Sequence, residues 1–247
     1  MLRSIDSLQG MKLSARDGTI GAVREFYFDE RTWTIHYLVA DTGMWLPGRE
    51  VLISPVVFGK ADWAKRIFHI RLTKEQIKES PGIDQKKPVS RLKQIELHRY
   101  FGWPAYWQPG GFMNATPIPP AGSQTIQEEQ GESNAADDPH LRSTREVCNY
   151  RIRAQDGEIG HVADFILNDD NWVILYVVID TRNWLPGKRV LVSTTWFNDI
   201  DWDHSSILVD LTKEEVKESP EYDPEKPVNR KYEVRLYDYY GRPKYWL

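Results

Sequence analysis

The chain has 247 residues, 40% of them hydrophobic and 28% charged, with a formal net charge of -4. That is enough for one large domain or two small ones, each with its own core. The single cysteine, Cys148, excludes a disulfide scaffold and a four-cysteine zinc site, and it fits a reducing compartment. The net acidity argues against a general nucleic-acid binder.

The longest apolar run, Trp172 to Ile179, falls far short of the roughly 20 residues of a membrane helix. Met1-Leu2-Arg3-Ser4-Ile5-Asp6 has no apolar stretch, so no signal peptide and no integral membrane segment are expected. The expected location is cytoplasmic, with contact at the membrane periphery open.

In chain order, each element comes twice. Asp17-Gly18-Thr19-Ile20-Gly21 returns as Asp156-Gly157-Glu158-Ile159-Gly160, and Trp45-Leu46-Pro47-Gly48 returns as Trp184-Leu185-Pro186-Gly187. Leu72-Thr73-Lys74-Glu75, Lys78-Glu79-Ser80-Pro81 and Tyr106-Trp107 return in the same way, always 139 residues later. The match runs without a gap from 2–107 to 141–246, and about 45 of 106 aligned positions are identical. Two copies of this length are a duplicated domain rather than a solenoid. The expected boundaries are residues 1–107 for the first repeat, 108–140 for a flexible linker and 141–247 for the second repeat. The linker carries no lysine or arginine and is rich in Pro, Gly, Gln and Glu. Charge divides as +5, -5 and -4 over the three segments, so the two repeats have opposite signs and their docking on each other is an open expectation.

Within a repeat, Asp17-Gly18 between short apolar stretches signals a hairpin turn. Trp33 to Val39 and Trp172 to Ile179 are short, β-branched and aromatic, which predicts central strands. Glu50 to Ser54 and Ile67 to Leu72 predict further strands, matched by Arg189 to Ser193 and Ile207 to Leu211. Thr73 with Gln76, and Thr212 with Glu215, predict capping boxes at the start of short helices that Pro81 and Pro220 stop. The tails Tyr100 to Trp107 and Tyr239 to Trp246 read as extended and aromatic. Five or six strands with little helix predict a mainly β fold with small barrels filled by their own side chains.

Each repeat resembles a PRC-barrel domain. The likeness rests on Asp17-Gly18-Thr19-Ile20-Gly21, the Trp33-to-Asp41 strand, Val51-Leu52-Ile53-Ser54 and Asp62-Trp63. In the second repeat it rests on Asp156-Gly157-Glu158-Ile159-Gly160, Trp172 to Asp180, Val190-Leu191-Val192-Ser193 and Asp201-Trp202. It covers about residues 5–80 and 144–219. It implies two small six-stranded β-barrels, each with a short C-terminal helix and an aromatic tail. The family includes the cytoplasmic domain of the photosynthetic reaction centre H subunit and a domain of a ribosome maturation factor. Its members mostly act as contact or assembly modules.

The repeat also tests for chemistry, since a site held in both halves needs paired residues. His36, His69, His98, His161 and His204 align with Leu175, Leu208, Tyr237, Ala22 and Lys65, and His140 lies in the linker. This excludes a histidine site duplicated in both repeats, and no metal or other cofactor is expected. Asp41/Asp180, Thr42/Thr181, Ser54/Ser193, Asp62/Asp201 and Arg91/Arg230 are paired, and turn chemistry accounts for the Asp, Ser and Thr pairs better than acid–base work does. No catalytic residue is assigned. The ten tryptophans are mainly packing residues. Trp45 and Trp184, beside Pro-Gly turns, with Arg49 and Arg189, are the candidate interaction residues. The expected function is non-enzymatic protein contact or assembly with a protein partner. The alternatives are a peripheral subunit of a photosynthetic or other membrane electron-transfer complex, and an RNA- or ribosome-associated factor.

Overall fold

The structure, a computed structural model, describes residues 1–43, 45–47, 49–82, 89–107, 140–181 and 188–246. The expected linker, apart from His140, lies outside the described residues, as does Trp184. The first repeat runs β1 (Leu2–Ser4), α1 (Ile5–Leu8), β2 (Lys12–Ala15), β3 (Gly18–Asp29), β4 (Ile35–Asp41), β5 (Glu50–Ile53), β6 (Phe58–Asp62), β7 (Ile67–Ile70), α2 (Lys74–Glu79) and α3 (Arg91–Phe101). The second runs β8 (Leu141–Ser143), α4 (Thr144–Val147), β9 (Arg151–Ala154), β10 (Gly157–Asn168), β11 (Val173–Asp180), β12 (Arg189–Ser193), β13 (Phe197–Asp201), β14 (Ser206–Val209), α5 (Lys213–Glu218) and α6 (Arg230–Tyr240).

The fold is mainly β, as the sequence predicts, but each sheet has seven strands rather than six. Six come from one repeat, in the orders β5-β4-β3-β2-β7-β6 and β12-β11-β10-β9-β14-β13. The seventh comes from the other repeat: β8 pairs with β3, and β1 pairs with β10. The β2–β7 and β9–β14 ladders are parallel. Among the described residues, no ladder joins the two ends of either path. No helix among them is long and apolar enough to cross a membrane.

Local chemistry fixes these elements. The Asp17 and Asp156 carboxylates, next to the β2–β3 and β9–β10 turns, accept the backbone N–H of Lys74 and Lys213 at 2.8 Å, tying each hairpin to the helix that follows. The second glycine of each motif is set by space: a Cβ on Gly21 or Gly160 would collide with the carbonyl of Asp41 or Asp180, and both glycines have φ near +140°. Both capping boxes form as expected. The strands after the long β3 and β10 start later than predicted. Trp33 and Trp172 sit in left-handed turns, with φ of 56° and 59°, and close onto the carbonyls of Asp29 and Asn168. The tails also differ from the extended reading. Their first residues belong to the 11-residue helices α3 and α6, capped at the start by Ser90 and Asn229 and ended by left-handed Gly102 and Gly241.

Contacts divide the chain into two compact units. Unit 1 comprises Met1–Met11, Glu25–Tyr37 and Arg142–Leu247, and unit 2 comprises Lys12–Arg24 and Leu38–Leu141. In unit 2, Leu38 to Ala40 and Val51 to Ile53 form a fully buried pair, and Arg24 is ion-paired to the buried Glu50. Unit 1 holds a reciprocal seam. Leu2-Arg3-Ser4 adds to the edge of β10 in the register Leu2↔Asn168, Arg3↔Leu167, Ser4↔Ile166. Arg3 pairs with Asp169 at 3.2 Å, and its repeat counterpart Arg142 pairs with Glu30 at 2.7 Å. Ser4 donates to Asp164, and its counterpart Ser143 donates to Glu25. Phe26, Phe28 and Trp33 pack with Trp172, Phe165 and Phe197 at centroid distances of 5.5–6.2 Å, and Phe28 stacks on Trp33 at 5.0 Å. Backbone bonds of 2.8 Å join Ile35 N to Trp172 O and Ile174 N to Trp33 O. Phe26, Phe28 and Phe165 are fully buried, each worth about 1.5–3 kcal/mol of burial.

Candidate functional site

The loop after β4 is built on Thr42, whose hydroxyl donates to the carbonyls of Leu46 at 2.9 Å and Arg49 at 2.7 Å. This holds Trp45 half-buried, with the Lys74 ammonium 4.8 Å from its ring centroid. Arg49 donates to the carbonyl of Lys78, near the end of α2. Its repeat counterpart, Lys188, reaches the carbonyls of Val216 and Lys217 on α5. Burial lowers the Lys188 pKa, against the opposing pull of Glu218 and Glu221. Trp45 and Arg49 therefore each brace their loop against a helix.

Arg189 is placed differently. It opens β12 opposite Asp180, and its side chain remains 41% exposed with Nε 3.8 Å from the buried Asp180 carboxylate. Its carbonyl accepts the N–H of Tyr222 at 2.8 Å, which brings the segment after α5 alongside. Arg189, Glu221, Tyr222, Asp223, Pro224 and Lys226 line an open cleft of about 450 Å³. Glu221 also lines a second groove, of about 410 Å³, with Glu218, Pro220, Arg235 and Tyr239. Tyr222 is buried, and its hydroxyl pKa is pushed up to about 12 by burial and by the nearby Asp164. Lys226 is exposed and pairs with Asp223 at 2.8 Å. The surface thus offers two arginines, one lysine, two acids and two tyrosines around a shared acidic residue, Glu221. Sequence reasoning singled out Arg189 but missed Tyr222, Lys226, Arg235 and Tyr239.

The paired polar residues are held in turns and caps. Asp62 and Asp201 accept the N–H groups of Lys65 and His204 at 3.0 and 2.9 Å, and both carboxyls lie below the usual range because of these backbone bonds. Asp41 accepts from Gly43 N at 2.9 Å. Ser54 and Ser193 cap short 3₁₀ turns. Arg91 and Arg230 lie over the rings of Trp107 and Trp246, at 4.7 and 4.1 Å, and fold each tail back onto its helix. Beneath the second tail, the buried Glu233 accepts the hydroxyls of Tyr176 and Tyr245, both at 2.8 Å. In the first repeat the buried Gln94 takes that position and accepts from Tyr106. Burial lowers the His98 pKa to about 4, so this ring is neutral, with Nδ1 3.0 Å from the Pro104 carbonyl.

The six-strand path of the second repeat, its Asp-Gly-Glu-Ile-Gly hairpin and the capped start of α5 fall within one family match. Residues 140–216 match the PRC-barrel domain. The first repeat shares the strand order of this PRC-barrel region and its internal sequence match. No curated protein matches the chain.

Proposed function

We propose that the chain is a non-enzymatic protein-interaction or assembly module. In this reading, two PRC-type barrels, at residues 1–107 and 141–247, are joined by a flexible 108–140 linker and work in the cytoplasm. Support for assembly comes from the PRC-barrel match and from a sheet design that already takes up added strands. The observation that carries the contact surface is the Arg189 cleft. There a half-exposed arginine and a buried tyrosine meet in an open, charged groove, and Arg and Tyr are the residue types that dominate interface energetics.

The test is capture of partners by tagged full-length protein, with cross-linking to locate the contact. Arg189→Glu is expected to reduce capture at least tenfold, whereas Trp45→Ala leaves it within twofold. Capture that survives Arg189→Glu refutes the cleft as the contact site. The resemblance also carries the membrane-complex and RNA alternatives, which the same experiment separates: recovery of membrane electron-transfer subunits or of ribosomal RNA would replace the proposed reading.

A further inference from the structure

The seam of unit 1 is self-complementary. Both added strands are the same tripeptide, Leu2-Arg3-Ser4 and Leu141-Arg142-Ser143, and both edges offer carboxylates at equivalent positions. Arg3 meets Asp169 as Arg142 meets Glu30, and Ser4 meets Asp164 as Ser143 meets Glu25. Each carboxylate is the repeat counterpart of the other, 139 positions away, so the contact has the isologous form of a twofold interface. The polar contacts are part-buried or buried, and the aromatic layer beneath them, Phe26, Phe28 and Trp33 with Phe165, Trp172 and Phe197, mixes both repeats.

We propose that this seam is a homotypic docking surface that takes the matching repeat of a second copy of the same chain. The proposal rests on the assembly reading above and names its partner. When the first repeat of one chain meets the second repeat of another, every ion pair, serine–carboxylate bond and ring contact of the seam is remade, because the interacting residues are the same. Two chains paired this way satisfy two seams. The choice between one chain and two then depends on concentration, not on loss of contacts.

The test uses two full-length variants. One reverses the donors (Arg3→Glu with Arg142→Glu) and the other reverses the acceptors (Glu30→Arg with Asp169→Arg). Alone, each sets like charges against each other in its own seam. Mixed, the two restore opposite charges in both seams, and only between chains. Equimolar mixing is expected to give a 1:1 dimer of twice the chain mass in size-exclusion chromatography with light scattering. Each variant alone gives no such species. A mixture that stays at the single-chain mass overturns the proposal. A second measurement avoids dependence on the variants' folding: wild-type chains with two different tags are refolded together from urea at high concentration. Co-capture of the second tag is expected, and its absence overturns the proposal. If partner capture through Arg189 persists while both tests fail, the homotypic seam is refuted and the assembly reading stands.

Discussion

Asp164 gives the sharpest prediction because it anchors the seam with a part-buried carboxyl. Its carboxylate accepts the Ser4 hydroxyl, the Asp6 N–H at 3.0 Å and the Phe165 N–H at 2.7 Å. Burial nonetheless outweighs these bonds and raises the pKa from 3.8 to about 6. An acid with a raised pKa holds its proton longer in the folded state, so between about pH 4 and 6 the folded chain binds more protons than the unfolded chain. Stability from this group is therefore fully present below pH 4 and is lost as pH rises through 6. At about 1.36 kcal/mol per pKa unit, the displacement corresponds to about 3 kcal/mol. Asp164→Asn keeps an acceptor for Asp6 N and a polar partner for Ser4, but it cannot ionise. Urea unfolding of both proteins at pH 4, 5, 6 and 7 isolates the effect from other carboxyls such as Asp29. The variant is expected to gain about 3 kcal/mol relative to wild type between pH 4 and pH 7. A difference that stays constant across that range refutes the raised pKa of the part-buried Asp164.

Other outcomes follow from the local geometry. Gly160→Ala places a Cβ against the Asp180 carbonyl at a positive φ, and a loss of about 2–3 kcal/mol is expected in thermal melts. Thr212→Ala removes the capping box of α5 and is expected to cost about 1 kcal/mol by the same measurement. Glu233→Ala strands the hydroxyls of Tyr176 and Tyr245 and is expected to cost about 2–4 kcal/mol in urea, while Glu233→Gln costs less because Gln94 fills the equivalent place in the first repeat. A Glu233→Gln cost equal to that of Glu233→Ala would contradict this reading.

Short-range chemistry was readable from residue order. Asp17-Gly18 and Asp156-Gly157 mark hairpins, and Thr73 and Thr212 mark helix starts, because each signal acts over three or four residues. The left-handed Trp33 and Trp172 were not readable, since bulky residues carry no preference for that conformation. The helices α3 and α6 carry their own signals, Ser90 and Asn229 before and Gly102 and Gly241 after, beside the aromatic content that resembles an extended tail. The added strands β1 and β8 span three residues, too few for any periodicity. Their trace lies in the pairing of Arg3 and Arg142, and of Ser4 and Ser143, with carboxylates that themselves repeat: Asp169 with Glu30 for the arginines and Asp164 with Glu25 for the serines. That trace becomes visible only once the strands are seen side by side. The Arg189 cleft depends on Tyr222 and Lys226, 33 and 37 residues downstream, and no local pattern joins them to Arg189.

The most direct test of the reciprocal seam is to cut the folded full-length protein once, at a protease site introduced between residues 108 and 139, and run it without denaturant on a sizing column with light scattering. A reciprocal seam predicts that the two pieces remain together in equal amounts and separate only in denaturant. Pieces that elute apart under native conditions would contradict it.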